Sequence, residues 1–433
     1  MRDRPDACPG TLRTHRAADG LLVRLRLPGG RLPAASARLL AEVAERRADG
    51  ALHLTSRGNV QLRGVREIDG GADPALVAAV RESGLLPSLS HELVRNVVAS
   101  PRSGLVGGRV DVGPLVAAVD AALCADPVLA ALPGRFLVAL DDGTADVAGL
   151  DADVTWWAQD AGTGALLVGG VDTGRRVRAA DVADVVAEVA HEFLRARGDG
   201  GAWHVGELPG GAAGFAARLR ALLPEGQRAA GGLLRPPSPA AGLPTLGAVR
   251  QDDGRFAVAG LVPLGRLATP AMRLLADAAD LAGGRLVVTP WREVVVPGIG
   301  PDRVEDVERL VTAAGLVSDA ASPWRRVTSC VGRPSCARAL ADVRTLASST
   351  VASLEQLPDA PGHLHFAGCE RRCGRPSSAH REVVAGVGGC EVADVGPASS
   401  TAERERRPVA FLSAADVPAA AAMSFRTRSS EGQ

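Results

Sequence analysis

The order of apolar and polar positions along the chain switches period in a way that names its elements. Residues 19–65 read D-G-L-L-V-R-L-R-L-P-G-G-R-L, then S-A-R-L-L-A-E-V-A-E-R, then A-L-H-L-T-S-R-G-N-V-Q-L-R-G-V. The first block alternates with period two, as a half-buried strand does. The second places Leu39, Leu40 and Val43 at helical spacing, and the third alternates again. A β-α-β unit is predicted. Residues 253–299 repeat it as D-G-R-F-A-V-A-G-L-V-P-L-G-R-L, A-M-R-L-L-A-D-A-A-D and R-L-V-V-T-P-W-R-E-V-V-V-P-G-I. Gly20 matches Gly254, Arg31-Leu32 matches Arg266-Leu267, Arg38 to Ala41 matches Arg273 to Ala276, and Thr55 matches Thr289, at offsets of 234 or 235. An internal duplication explains the match.

Beyond each unit the repeat is fainter. Val94 to Pro101 can be laid over Arg325 to Gly332, which sets Ala99 opposite Cys330. Val182 to Arg197 has the spacing of an amphipathic helix. From Gly200 to Leu246 glycine, alanine and proline dominate, and Leu233 to Pro244 reads as a linker. The predicted organisation is a first half-domain over 1–75, an α/β domain over 76–232, the linker 233–244, a second half-domain over 245–318, a cysteine-bearing domain over 319–399, and a flexible tail over 400–433. Two halves packed about a pseudo-twofold would enclose a large cavity, and such interfaces are where sizeable ligands bind.

Composition bounds the function. The 433 residues are 46% hydrophobic, enough for two or three domains. With 49 basic and 49 acidic residues the net charge is zero, which argues against a nucleic-acid binder. Every basic residue is arginine, so any anion site must be built from guanidinium forks, which suit carboxylates. Met1 to Gly10 lacks the apolar core of a signal peptide, and no run of eighteen apolar residues occurs, so a cytoplasmic protein with no membrane partner and reduced thiols is expected. No G-x-G-x-x-G follows a strand, since Gly169, Gly170 and Gly174 have the wrong spacing, so electrons from NADH are expected through a separate partner.

Four of the seven cysteines fall between Cys330 and Cys373. They form two pairs, Cys330 and Cys336 with five residues between them, and Cys369 and Cys373 with three. Glycine and proline crowd both pairs, placing the thiols on turns whose amides can point at sulfur. An iron–sulfur cluster suits that pattern. Structural zinc prefers shorter knuckles, and buried free cysteine is the remaining reading. Cys8, Cys124 and Cys390 have no close partner in sequence and are read as structural.

C-x5-C…C-x3-C resembles the cluster signature of the sulfite/nitrite reductase superfamily, whose members carry a 4Fe-4S cluster beside a tetrapyrrole. The resemblance covers nearly the whole chain. It implies a mixed α+β fold of two pseudo-twofold related halves, each a ferredoxin-like half-domain followed by a reductase-type α/β domain. The stretch Thr55 to Gln61 resembles the superfamily's T-x-R-x-x-x-Q, Arg95-Asn96 its R-N-V, and Arg135 its L-P-R-K-F-K, where this chain has Leu137 at the second basic position. Length, the T-S-R-G-N-V-Q-L-R-G stretch, T-P-W-R at Thr289 to Arg292, and His365 before the second cysteine pair are similar to the precorrin-3B synthase branch.

That branch implies O2-dependent hydroxylation of precorrin-3A at C20 with γ-lactone formation. The tetrapyrrole is then the substrate, and a reductase or ferredoxin the electron-donating partner. By resemblance, Arg57, Arg95 and Arg135 are the catalytic set. Arg57, Gln61, Arg63, Arg95, Asn96, Arg135 and Arg292 bind substrate, with Arg57 and Arg63 expected on one strand face. Cys330, Cys336, Cys369 and Cys373 hold the cluster. The family also implies a mononuclear non-haem iron whose ligands the sequence does not fix. His53, His363 and His365 are candidates, beside the reading of ordinary core or turn histidines. The alternative within the superfamily is a sirohaem-dependent sulfite or nitrite reductase, and outside it a zinc-stabilised binding protein.

Overall fold

The computed structural model describes residues 6, 8–222, 233–235, 245–354, 362–376, 378–396 and 405–419. Most of the predicted linker lies outside them. The chain divides into two compact units, one comprising residues 1–15 and 21–318 and the other residues 16–20 and 319–433.

In the first unit both repeats fold alike. Strand Gly20–Leu25, strand Arg31–Pro33, helix Ala34–Arg47 and strands Ala51–Leu54 and Val60–Val65 are matched by Phe256–Leu261, Arg266–Ala268, Thr269–Asp280, Arg285–Val288 and Glu293–Ile299. Each half lends its short second strand to the other. Arg266–Ala268 runs antiparallel to Ala51–Leu54, with Leu267 opposite Leu52, and Arg31–Pro33 runs antiparallel to Arg285–Val288, with Leu32 opposite Leu286. Two further backbone bonds repeat the exchange, Ala34 N–H to Gly284 O at 3.0 Å and Thr269 N–H to Gly50 O at 3.1 Å. The two helices bury Leu40, Ala41 and Ala44 with Leu275, Ala276 and Ala279 in one shared core. The exposed pairs Arg38–Asp277 and Arg273–Glu45 that span the helices add little beside that burial.

The crossing is tight because two glycines make it so. Gly30 has φ +69°, and a Cβ there would stand 1.9 Å from Val288 O; Gly265 has φ +68°, and its Cβ would stand 3.2 Å from Leu54 O. No L-residue fits at Gly30 without moving backbone.

The third predicted block of each repeat is a hairpin rather than one strand. His53 pairs with Gln61 and Leu54 with Val60, closing a loop at Thr55–Asn59 in which Thr55 N–H meets Asn59 O at 2.9 Å. Arg57 therefore lies in the turn and Arg63 in the strand, so the expected shared strand face for the two arginines does not exist.

The rest of the first unit is a five-stranded sheet. Val97–Ala99, Val138–Asp141 and Val154–Ala158 run parallel, and Thr163–Val168 and Val171–Arg178 continue antiparallel. Helices Gly113–Ala125, Val182–Arg197 and Gly211–Leu222 contribute to its core around Trp156, Phe136 and Phe193. The Val182–Arg197 helix has the predicted bounds.

The second unit repeats this sheet in order and sense. Val327–Ser329, Leu364–Ala367 and His380–Gly386 are parallel, followed by antiparallel Gly389–Val395 and Arg406–Leu412. The last strand corrects the expectation of a flexible tail from residue 400. It is pinned by Arg406, which donates to Glu382 and Glu391. Residues 420–433 of that expected tail lie outside the described residues. Among the described residues no helix is long and apolar enough to cross a membrane.

Gly30→Ala is expected to cost more than about 3 kcal/mol, because a forbidden backbone approach adds to an unfavourable φ. Gly50→Ala, at φ +72° but with nothing within 4 Å of its Cβ, should cost only about 1 kcal/mol. Chemical denaturation of both variants checks the contrast, and equal losses would remove the role assigned to the crossing.

Candidate functional site

In the second unit the parallel strands end side by side and deliver thiols. Cys330 is the first residue past Val327–Ser329, and its N–H bonds Phe366 O at 2.9 Å on the neighbouring strand; Cys369 lies just past that neighbour's end. The Cys330 Sγ accepts the Gly368 N–H at 3.1 Å. The loops approach closely because Gly332 and Gly368 carry no Cβ. One on Gly368 would lie 2.7 Å from the Ala339 Cβ, and one on Gly332 2.8 Å from a Val343 methyl. Cys336 N–H to Gly332 O at 2.9 Å and Leu340 N–H to Gly368 O at 2.7 Å lock the loops together.

All four thiols share one electrostatic neighbourhood. Burial raises the Cys330 and Cys373 pKa values; at Cys330 the Gly368 and Gly332 amides oppose the rise and Cys336 and Cys369 add to it, and at Cys373 all three other thiols add to it while Arg371 opposes it. A 4Fe-4S cluster fits the donor set: four thiols, with a backbone N–H directed at sulfur.

The charged residues between Cys369 and Cys373 have a place. Arg372 adopts φ +49°, its Nε donates to Glu382 Oε1 at 3.1 Å and its Nη1 to Glu370 O at 3.0 Å. Glu382 is fully buried on strand His380–Gly386 and also receives Arg406. The carboxylate thus draws one bulky side chain of the three toward the sheet.

Among the candidate iron ligands, His365 is buried on its strand with Nδ1 2.9 Å from Thr328 Oγ1, and its ring meets that of His380 edge-on at 6.3 Å. His363 is depressed in pKa by burial and then by His380 and two arginines. His363, His365 and His380 therefore gather, and His380 was not foreseen. His53 belongs to the first unit, with Nε2 2.8 Å from Asp49.

The first unit carries an arginine nest. Asn59 and Asn96 are buried and bonded at 3.1 Å, and Asn96 also donates to Gly134 O at 2.9 Å. That bridge brings the Arg57 turn to the loop holding Arg135. The buried Asp153 accepts Leu137 N–H at 2.8 Å and Val205 N–H at 2.6 Å, placing Trp203 where its ring stacks 4.9 Å from the Arg135 guanidinium. Arg57 is lowered in pKa by burial, with Arg24 and Arg135 contributing; Arg26 is lowered to about 9 by burial and then Arg24. Arg24 donates to Gln61 at 3.1 Å, and Cys8 lies 3.5 Å from its Nη1. The Nε–H groups of Arg24 and Arg26 are buried without an acceptor.

Arg57, Arg135 and Gln61 are thus brought together, whereas other expected clamps are not. Arg95 is locked to Asp120 by two bonds of 2.7 Å and donates to Leu85 O, leaving no guanidinium edge for a ligand. Arg292 sits in the second half's equivalent turn at the place of Gly58, with φ +63° against +64°, while Trp291 stands where Arg57 does. Arg63 is buried in strand Val60–Val65. Arg24, Arg26, Cys8, Trp203 and Asp153 were not foreseen. The signal for the first two was the V-R-L-R-L alternation, which put both arginines on one strand face.

The thiol corner has a counterpart. Val97–Ala99 pairs with Val138 to Leu140 as Val327–Ser329 pairs with Leu364 to Phe366, and Ser100 N–H bonds Leu140 O as Cys330 N–H bonds Phe366 O. Asp142 N–H meets Ser100 Oγ at 3.1 Å, as Gly368 N–H meets the Cys330 sulfur. Ser100, not Ala99, is therefore the counterpart of Cys330. Around it stand Asp141, Asp142 and Asp146; Asp141 is filled by four backbone N–H donors, and Ser100 Oγ donates to Asp146.

Comparison with known proteins agrees with this architecture. Residues 13–69 and 249–314 both match the nitrite/sulfite reductase ferredoxin-like half domain. Both repeats therefore belong to the nitrite/sulfite reductase ferredoxin-like half-domain family. Over its length the chain is 24% identical to precorrin-3B synthase of Sinorhizobium sp., covering 89% of this chain and 82% of that protein. It is 28% identical to ferredoxin–nitrite reductase of Leptolyngbya laminosa, over 83% and 75%. A sulfite reductase hemoprotein β-component of Xylella fastidiosa is 31% identical, but over 30% and 25% only. The fold matches that of the Mycobacterium tuberculosis NirA protein with a TM-score of 0.75 at 21% identity, over 95% of this chain and 82% of that one. The two matched half domains are the strand-exchanged pair described above.

Glu382→Ala should destabilise the second unit by about 3–5 kcal/mol, since Arg372 and Arg406 lose their shared buried carboxylate. Denaturation together with iron and sulfide quantitation tests it, and an unchanged midpoint would separate Glu382 from the cysteine loop. Asp146 is held up to about 7, by burial first and then by Asp141. Its contribution to stability is complete below the ordinary aspartate range near 3.9 and is lost as pH rises through about 7. Asp146→Asn should accordingly remove on the order of 2 kcal/mol of the stability lost between pH 5 and pH 8. Unfolding curves at the two pH values decide it, and identical losses in variant and parent would refute the assignment.

Proposed function

We propose that this chain is an oxygenase of the precorrin-3B synthase type. The observation that carries the reading is the nest of Arg24, Arg26, Arg57 and Arg135. Arg26 and Arg57 are depressed by burial first and then by neighbouring arginines, and two Nε–H groups lack acceptors, so the half-buried Arg24 and Arg57 and the exposed Arg135 beside them favour an anionic partner. A tetrapyrrole bearing several acetate and propionate carboxylates offers them in number, and bidentate pairing would orient the macrocycle so that one meso carbon is presented.

The reaction consumes precorrin-3A, O2, NADH and a proton. One oxygen atom enters at C20 with closure of a γ-lactone, the other leaves as water, and NAD⁺ is formed. Cys330, Cys336, Cys369 and Cys373 would hold a 4Fe-4S cluster, which supplies electrons singly, and His363, His365 and His380 would be the nearest imidazoles to supply ligands to a mononuclear iron. The chain's own groups do the rest. Arg24, Arg57 and Arg135 bind carboxylates, Trp203 fixes the Arg135 plane, and the Asn59–Asn96 bond keeps the two arginine loops in register. A separate ferredoxin or reductase is the proposed electron donor.

A second reading, a sirohaem-dependent ferredoxin–nitrite reductase, is favoured by the 28% identity to that enzyme. Against it, Leu137 is buried and Arg95 is bound to Asp120, so two cations suited to a small oxyanion are lacking.

Anaerobically purified protein incubated with precorrin-3A, reductant and O2 should convert the substrate to a product heavier by one oxygen atom, read by mass spectrometry. Arg24→Gln and Arg57→Gln should each weaken tetrapyrrole binding by about tenfold or more. Intense sirohaem bands with consumption of nitrite, and untouched precorrin-3A, would establish the second reading instead.

A further inference from the structure

A second cationic pocket lies on the first unit, lined by none of the nest arginines, and no feature of the proposed reaction uses it. Arg31 stands directly opposite Val287 in the exchanged strand pair, so Arg31, Val287 and, two residues along, Arg285 share one sheet face. They look into a cavity whose other wall is the Ser100 to Ser103 loop and the start of helix Gly113–Ala125. Like charges at diagonal sheet positions repel. Arg31 is indeed lowered in pKa, by burial first and then by Arg285. The acid beside them is Asp111, 3.9 Å from Arg31 at the limit of an ion pair, and it already accepts the Gly113 N–H at 2.8 Å. The Arg285 Nε is shielded from solvent with no acceptor. Both serine hydroxyls are already engaged, Ser100 donating to Asp146 and accepting from Asp142 N–H, and Ser103 donating to Val110 O and accepting from Val112 N–H.

The second half-domain built this pocket without copying it. At an offset of 234, Arg285 corresponds to Ala51 and Val287 to His53. The paired cations are therefore particular to this side of the repeat.

We propose that this pocket binds a single oxyanion of the phosphate or sulfate class between the Arg31 and Arg285 guanidinium groups. Two forked donors converge there, and the positive end of a thirteen-residue helix adds to the field. The anion relieves the repulsion across the exchanged strands and so ties the halves together.

The test does not depend on the tetrapyrrole reading. Full-length protein in oxyanion-free buffer is titrated calorimetrically with inorganic phosphate and with sulfate, and its melting temperature is followed in parallel. Saturable uptake by one site and a rise in melting temperature are expected. Arg285→Gln and Arg31→Gln should each weaken uptake by about tenfold, while Arg57→Gln, in the other basic site, leaves it unchanged. Both arginines are only partly buried, and a melt of each variant without anion verifies folding. Absence of saturable uptake, uptake that survives both pocket substitutions, or uptake abolished by Arg57→Gln would overturn the proposal.

Discussion

The first unit depends on an exchange. Each ferredoxin-like half gives the other a three-residue strand, Arg31–Pro33 in one direction and Arg266–Ala268 in the other, and the chain can cross over only where Gly30 and Gly265 allow backbone to meet backbone. Strands this short would not hold as independent edges. They hold because each completes a sheet whose faces share one core with helices Ala34–Arg47 and Thr269–Asp280. Hairpin loops inherit their positions from this frame. The Thr55 turn, capped by its own hydroxyl on the Arg57 and Asn59 amides, is thereby set where Asn59 can reach Asn96.

Duplication followed by divergence explains why one function falls on one side of each repeat. The two hairpins are superimposable in their bonding, since Thr289 Oγ1 accepts from Trp291 and Glu293 as Thr55 Oγ1 accepts from Arg57 and Asn59. Yet one turn presents a guanidinium at the position where the other carries an indole. The sheet ends diverge in the same manner. Ser100 and Cys330 occupy one topological position, but the serine corner is filled by carboxylates that backbone amides and hydroxyls satisfy, whereas the cysteine corner keeps four thiols with a backbone amide aimed at sulfur. A corner whose acceptors are already satisfied from within has little to offer a metal group, and one with unpaired thiols has much.

Periodicity carried the sequence reading where burial alone decides structure. Helix Val182–Arg197 was legible to its ends because apolar Val182, Val185, Val186, Val189 and Phe193 all face one core. The repeat was legible because exchanged strands leave paired glycines and arginines at a fixed offset. The Thr55 hairpin was not, since H-L-T-S-R-G-N holds no proline and only one glycine, and its turn is closed by the threonine hydroxyl. Arg24 and Arg26 were read past for a different reason: alternation assigns them to solvent, and only the packing of Cys8, Pro9 and Leu93 over that face buries them. The cysteine quartet was plain in spacing, but its register against the first copy slipped by one residue, because fixing it takes a strand pairing and not a sequence overlay. Arg95 matched a family pattern and yet is neutralised by Asp120, a partner twenty-five residues away that no local motif announces.

The nest and the pocket share one energetic logic. Burying a cation weakens a fold, and Arg26 and Arg57 are depressed by burial even with Glu92 near the first and Asp153 near the second. A protein tolerates such sites when something else restores the balance on binding. Whatever anion enters stabilises the folded state in proportion to its saturation, so ligand affinity and fold stability become linked quantities. The rigid frame makes the linkage useful. With the exchanged strands and the Asn59–Asn96 bond fixing the loops, the backbone that carries Arg57 and Arg135 is set before any anion arrives, which lowers the ordering cost of binding one.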